Sequence, residues 1–175
     1  GVLRSRWAWL AFLAPFFNAS GGILLATGWH DGFAQMLILL ASGGLITIFI
    51  VIMKHHASTD TGLMMLGAVA LLAGNGLWFM GRPLFEVVHW WIAFLILTII
   101  GERLELTRIR QITPRQRQYL IAIIMLYFGS VLLTLANLGL GTRLEGIGFV
   151  LMAWWLFRYD IARVTIRRGG LPQFA

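Results

Sequence analysis

Apolar runs of membrane-span length alternate along this chain with short polar turns that carry nearly all of its charge. In order, the runs cover Trp7 to Trp29, about Phe33 to Met53, about Gly62 to Met80, about Leu84 to Gly101, about Tyr119 to Leu138 and about Gly146 to Phe157. A transmembrane helix needs roughly 20 predominantly apolar residues, so the pattern predicts an all-α polytopic bundle of six transmembrane helices forming one domain over residues 1–175. The sixth run is the shortest. Ser58, Thr59 and Asp60 supply N-cap chemistry ahead of the third helix. The segment GERLELTRIRQITPRQRQ between the fourth and fifth runs reads as the largest loop, and Gly139 to Arg143 as the turn before the sixth. Within that large loop, Leu104, Leu106, Ile109 and Ile112 alternate with Glu105, Arg108 and Arg110 in an amphipathic pattern suited to the membrane surface.

Charge orients the helices. Arg4, Arg6, Lys54, Arg103, Arg108, Arg110, Arg115, Arg117, Arg158, Arg163, Arg167 and Arg168 fall on one side of this threading, against Arg82 and Arg143 on the other. By the positive-inside rule the first side is cytoplasmic and both termini lie there. Trp7, Trp29, Trp90, Trp91, Trp154, Trp155 and Tyr119 fall near predicted helix ends, where aromatic belts form. The first run is too long for the apolar region of a signal peptide and is followed by further spans, so it is expected to remain in the protein. The C-terminal stretch RYDIARVTIRRGGLPQFA reads as an interfacial basic helix leading onward, which would make the chain a segment of a longer protein.

Composition narrows the chemistry. The residues are 59% hydrophobic and 12% charged, with a mean hydropathy of +0.81, outside the range of soluble domains. The net charge of +7 is accounted for by loop arginines facing anionic headgroups, so the expected partner is the lipid bilayer rather than nucleic acid. Because cysteine is absent, disulfides, thiolate metal sites, cysteine-ligated iron–sulfur clusters and c-type haem attachment are excluded within the chain.

Two groups of residues offer candidate chemistry. On the outer side His30 and Asp31 face the start of the fourth helix, where Glu86 and His89, three apart, share a face. A Glu-x-x-His pair is half of the ligand set of carboxylate-bridged dimetal bundles, and His with carboxylate suits Zn, Fe, Mn or Cu. The second half is missing, which leaves a mononuclear metal site at His30, Asp31, Glu86 and His89, or exposed ion pairing of Glu86 with Arg82. Haem b between His30 and His89 is the other cofactor those positions admit. His55 and His56 are adjacent and cannot share a helical face.

The other group lies inside the spans: Pro15, expected to kink the first helix, with Asn18 nearby, Asn75 between two glycines, and Asn137. These three asparagines, each in an outward helix among small residues, allow a threefold repeat of helical hairpins or a transport path. Interhelical hydrogen bonding is the alternative. No acidic or basic residue is expected near the middle of a span, which disfavours proton-coupled transport. Phosphate-binding and nucleophile motifs are missing, so no catalytic residue is assigned.

His89 to Ile109 (HWWIAFLILTIIGERLELTRI) and Arg158 to Phe174 (RYDIARVTIRRGGLPQF) resemble segments of the NnrS family of haem- and copper-containing polytopic bacterial membrane proteins. The resemblance covers about 40 of the 175 residues. It implies a multi-pass protein of the bacterial inner membrane, linked to a respiratory or haem–copper system, with haem or copper held by histidines inside spans. The family's histidine segments within spans are absent here, so no ligand carries over. Three readings follow: an accessory or structural component packing against partner membrane subunits, a haem- or metal-binding redox protein, and a small-molecule transporter.

Overall fold

The computed structural model describes residues 12–28, 31–106 and 113–159. They form six helices: α1 (Leu13–Thr27), α2 (Asp31–His55), α3 (Thr59–Phe79), α4 (Leu84–Leu106), α5 (Pro114–Thr134) and α6 (Leu138–Tyr159). The protein is therefore all-α. Four of these, α2, α3, α4 and α5, are long and apolar enough to cross a membrane. The helices divide into two compact units, one running to Gly101 and the other starting at Glu102.

In the first unit consecutive helices pack side by side, and small residues bring their backbones together. A Cβ on Gly21 of α1 would lie 2.7 Å from Ile38 Cγ1 and 2.9 Å from the Ala34 carbonyl of α2, and one on Gly44 would lie 3.0 Å from Ala14 Cβ. The α3–α4 pair repeats the device at three levels. A Cβ at Gly74 would meet Trp90 Cβ at 2.9 Å, one at Gly67 the Phe94 carbonyl at 3.1 Å, and one at Gly101 Met64 Cγ at 2.6 Å. Lipid is as apolar as a leucine side chain, so close van der Waals contact between helices is a main source of association in a membrane. These glycines make that contact possible.

Local chemistry sets the helix ends. The Ser58 hydroxyl accepts from the Thr61 N–H at 3.3 Å, which is the N-cap expected ahead of α3. At the other end of α3, Arg82 N–H donates to the Leu77 carbonyl (3.0 Å) and Gly81 N–H to the Trp78 carbonyl (2.9 Å). That Schellman arrangement requires a left-handed residue, and Gly81 supplies it at φ 83°.

Helix boundaries around α4, α5 and α6 differ from the sequence pattern. Helix α5 begins at Pro114 rather than near Tyr119, because Thr113 and Gln116 form a reciprocal capping box with Pro114 in the first turn. The Thr113 hydroxyl accepts from Gln116 N–H at 3.4 Å, and Gln116 Oε1 accepts from Thr113 N–H at 3.1 Å. Together with the extension of α4 to Leu106, this removes both ends of the expected large loop. Thr113→Ala is expected to lower the unfolding free energy by about 1 kcal/mol, seen as a reduced melting temperature of the purified protein. An unchanged melting temperature would mean that the cap is dispensable.

The larger correction concerns α6, which starts at Leu138 and not near Gly146. The stretch Gly139 to Arg143, expected to be a turn, is helical. Asn137 is responsible: its Oδ1 accepts the Leu140 N–H at 3.0 Å, capping the helix directly after a turn at Leu135 and Ala136. Helices α5 and α6 thus form a tight antiparallel hairpin. Gly141 lies against Thr134, Gly148 against Tyr127, and Trp155 Nε1 donates to the Gln116 carbonyl at 3.2 Å.

Candidate functional site

The predicted outer-side ligands start from two helix N-termini. Asp31 opens α2 and is exposed. Glu86 is in the first turn of α4, one turn before half-buried His89 on the same face. Glu86 Oε2 accepts from Arg82 Nη1 at 3.3 Å, four residues earlier, so the carboxylate is engaged in an ion pair. His30 lies outside the described residues. Among the described residues no three His, Asp or Glu side chains gather closely enough to hold a metal ion. His55 and His56 are both exposed, at and just beyond the end of α2.

The asparagines have three different environments. Asn75 is 3% exposed and its Oδ1 accepts from Trp91 Nε1 across the α3–α4 interface at 2.9 Å. Gly74 beside it is what admits Trp91: a Cβ there would stand 3.0 Å from Trp91 Cδ1 and 3.1 Å from its Nε1. Trp78, one turn along α3 from Asn75, meets the same indole edge to face at 5.6 Å. Asn137 is the cap of α6. Asn18 is exposed, as is Pro15. A common repeat position would give all three one environment, and they do not share it.

Several tryptophans expected in aromatic belts instead face helix neighbours. Trp90 is 4% exposed and Trp155 2% exposed, whereas Trp154 and Tyr119 do point outward. Trp7 and Trp29 lie outside the described residues. Nearness to a helix end fixes depth but not direction, and the angular position of each residue decides which way it faces.

A polar seam in the α5–α6 hairpin is absent from the sequence pattern. Gly141, Glu145, Gly148, Met152 and Trp155 form the buried face of α6 at alternating spacings of four and three. Glu145, just outside the expected sixth run, is 3% exposed and lies two turns inside the helix. The register set by Gly141 on Thr134 and Gly148 on Tyr127 places Glu145 opposite the stretch between those α5 residues. Ser130 and Thr134 donate to the Tyr127 and Val131 carbonyls of their own helix, each at 2.6 Å. Such back-bonding satisfies hydroxyls where water is scarce. The Tyr127 hydroxyl is fully buried and makes no hydrogen bond. The α6 glycine spacing is the signal that would have found this face.

A groove of about 370 Å³ lies on the outside of the same hairpin, between α5 and α6. Its walls are aliphatic and aromatic, with Tyr119 and Tyr159 toward one end.

Residues 2–175 match a family model described as a domain of unknown function, DUF8744. No curated protein and no solved structure matches the chain.

Proposed function

We propose, for a chain that belongs to the DUF8744 family, an accessory or structural role in a membrane, its helices packing against one another and against partner membrane subunits. The observation that carries this reading is the Asn75–Trp91 bond. The polar group most suited by position to line a transport path is consumed in joining α3 to α4. Hydroxyls elsewhere along the helices are likewise spent on helix carbonyls: Ser42 on Leu39, Thr47 on Gly43 and Thr98 on Phe94. The helices meanwhile present large apolar side chains outward, among them Leu40, Leu95, Met125 and Val150. Such surfaces suit lipid or a neighbouring subunit.

The finer proposal is a multi-pass protein of the bacterial inner membrane with both termini cytoplasmic, attached to a respiratory or haem–copper system. The charge bias supports the orientation. The resemblance of His89 to Ile109 and Arg158 to Phe174 supports the association. A redox role through His30, Asp31, Glu86 and His89 would require Glu86 to leave Arg82.

The test is native mass spectrometry and absorption spectroscopy of the protein extracted in mild detergent from its own membrane. A defined, stoichiometric complex with other membrane subunits is expected, without a Soret band or metal that tracks this chain. A solitary chain carrying haem or metal lost in His89→Ala would overturn the proposal in favour of the redox role. A solitary chain stabilised by a small solute, with that effect lost in Asn75→Leu, would overturn it in favour of transport.

A further inference from the structure

The α5–α6 groove combines three properties that belong together only at a membrane surface. Its floor and sides are apolar, from Ile123 and Leu126 of α5 and the indoles of Trp154 and Trp155 of α6. One end carries the phenols of Tyr119 and Tyr159. Beyond the phenols, at that same end of the hairpin, are two exposed guanidinium groups, Arg115 and Arg158.

Helical geometry places those arginines over the groove and not elsewhere on the hairpin. Arg115 is four residues before Tyr119, and so stands one turn beyond it on the same stripe of α5. Arg158 is four residues after Trp154 and three after Trp155, which puts it directly beyond both groove-lining indoles. Arg117, by contrast, is turned to the opposite side of α5 from Tyr119. The hairpin is antiparallel, so the first turn of α5 and the last turn of α6 fall at one level.

The wall is fixed before anything binds. Trp155 is held by its indole N–H on the Gln116 carbonyl at 3.2 Å, and Tyr159 packs against it at a tilt, 5.3 Å between ring centres. Gln116 is itself locked by the capping box with Thr113. An ordered apolar trough of about 370 Å³, within the usual range of small-molecule sites, therefore ends in tyrosines and a pair of cations.

We propose that this groove binds an anionic glycerophospholipid, with one acyl chain along Leu126 and Ile123 and the phosphate between Arg115 and Arg158. The direction follows from depth: Leu126 lies within the apolar span of α5, while Arg115 is at its polar end. Tyr119 and Tyr159 sit at the level where a glycerol backbone passes from chain to headgroup, with hydroxyls available to its ester oxygens. Two guanidiniums select an anionic over a zwitterionic headgroup. This site does not depend on the accessory role, since a lipid could occupy the groove of a redox protein or a transporter equally well.

The experiment uses the full-length protein in neutral detergent, with phosphatidylglycerol and phosphatidylcholine of identical acyl chains as probes and retained lipid counted by native mass spectrometry. The wild-type protein is expected to retain phosphatidylglycerol over phosphatidylcholine by roughly tenfold, from two arginines near a phosphate. In the double variant Arg115→Gln/Arg158→Gln the ratio is expected to fall to about one, as set by headgroup charge alone. Arg143→Gln, an exposed arginine near the start of α6, should leave the preference intact. Ala122 is exposed in the groove, so Ala122→Trp fills it without entering the core and should displace both lipids. Equal retention of the two lipids by the wild-type protein, or a preference that survives loss of both arginines, would overturn the proposal. So would a dimer that Ala122→Trp dissociates while lipid retention stays unchanged, because the groove would then be covered by a second copy.

Discussion

Gly141→Ala is expected to destabilise the protein by about 1–3 kcal/mol, although alanine is the better helix former. The added methyl would lie 2.6 Å from Thr134 Cγ2, 2.7 Å from Thr134 N and 2.8 Å from Thr134 Cα. Two of those atoms are backbone, so no rotamer change relieves the overlap. The α5–α6 hairpin must either open at its turn or shift along its register. Gly146→Ala on the same helix is the matched control. Gly146 is exposed with nothing within 4 Å of its added Cβ, so alanine there should gain about 0.5–1 kcal/mol through the unfolded chain's lost freedom. Melting temperatures of the two variants in one detergent should therefore move in opposite directions. If both rise, the close approach of the two helices is wrong.

The second large effect is expected at Asn75. Asn75→Leu removes the acceptor from a half-buried indole N–H in an interface closed by Gly74, and a buried donor left without a partner costs about 1–3 kcal/mol. A double-mutant cycle with Trp91→Phe isolates the bond itself, for which interhelical hydrogen bonds in membranes suggest about 0.6–2 kcal/mol of coupling. Asn18→Leu, at an exposed position, should leave stability close to unchanged. A coupling energy near zero between positions 75 and 91 would remove the main support for the accessory reading.

How far the sequence revealed the fold can be followed residue by residue. Ser58 announced the start of α3 because a polar cap followed by a long apolar run has no competing interpretation. Thr113, Pro114 and Gln116 carried an equally specific signal for α5, and it was masked by the arginines around it. Charge indicates that a segment meets water, but a helix can continue through the interface, as α4 does past Glu102, Arg103 and Glu105. Gly139 to Arg143 misleads for a related reason. Glycine and arginine together resemble a turn, yet Gly141 is there to let α6 touch Thr134. With that boundary displaced, Glu145 falls outside the expected sixth run, whereas it lies inside α6 and is buried.

The candidate sites were legible only in part. Glu86 and His89 do share a face of α4, as spacing alone requires, and the four-residue spacing of Arg82 and Glu86 likewise offered the ion pair that forms. Asn75 could be singled out as a polar residue in a span, whereas its partner Trp91 is 16 positions away and had the composition of a belt residue. The lipid groove had no linear signature, because its two walls meet only once α5 and α6 are in register.

The contacts within each unit join helices that are neighbours in the chain: α1 with α2, α2 with α3, α3 with α4, and α5 with α6. Every such contact closes a short loop, and contacts between segments near in sequence form early and fast. A chain built this way can settle helix by helix as it leaves the ribosome, each helix packing on the one before it. The glycines at positions 21, 74 and 141 would then act as checkpoints in the order of synthesis, and a bulky residue at one of them would be felt first in biogenesis, as protein that never accumulates.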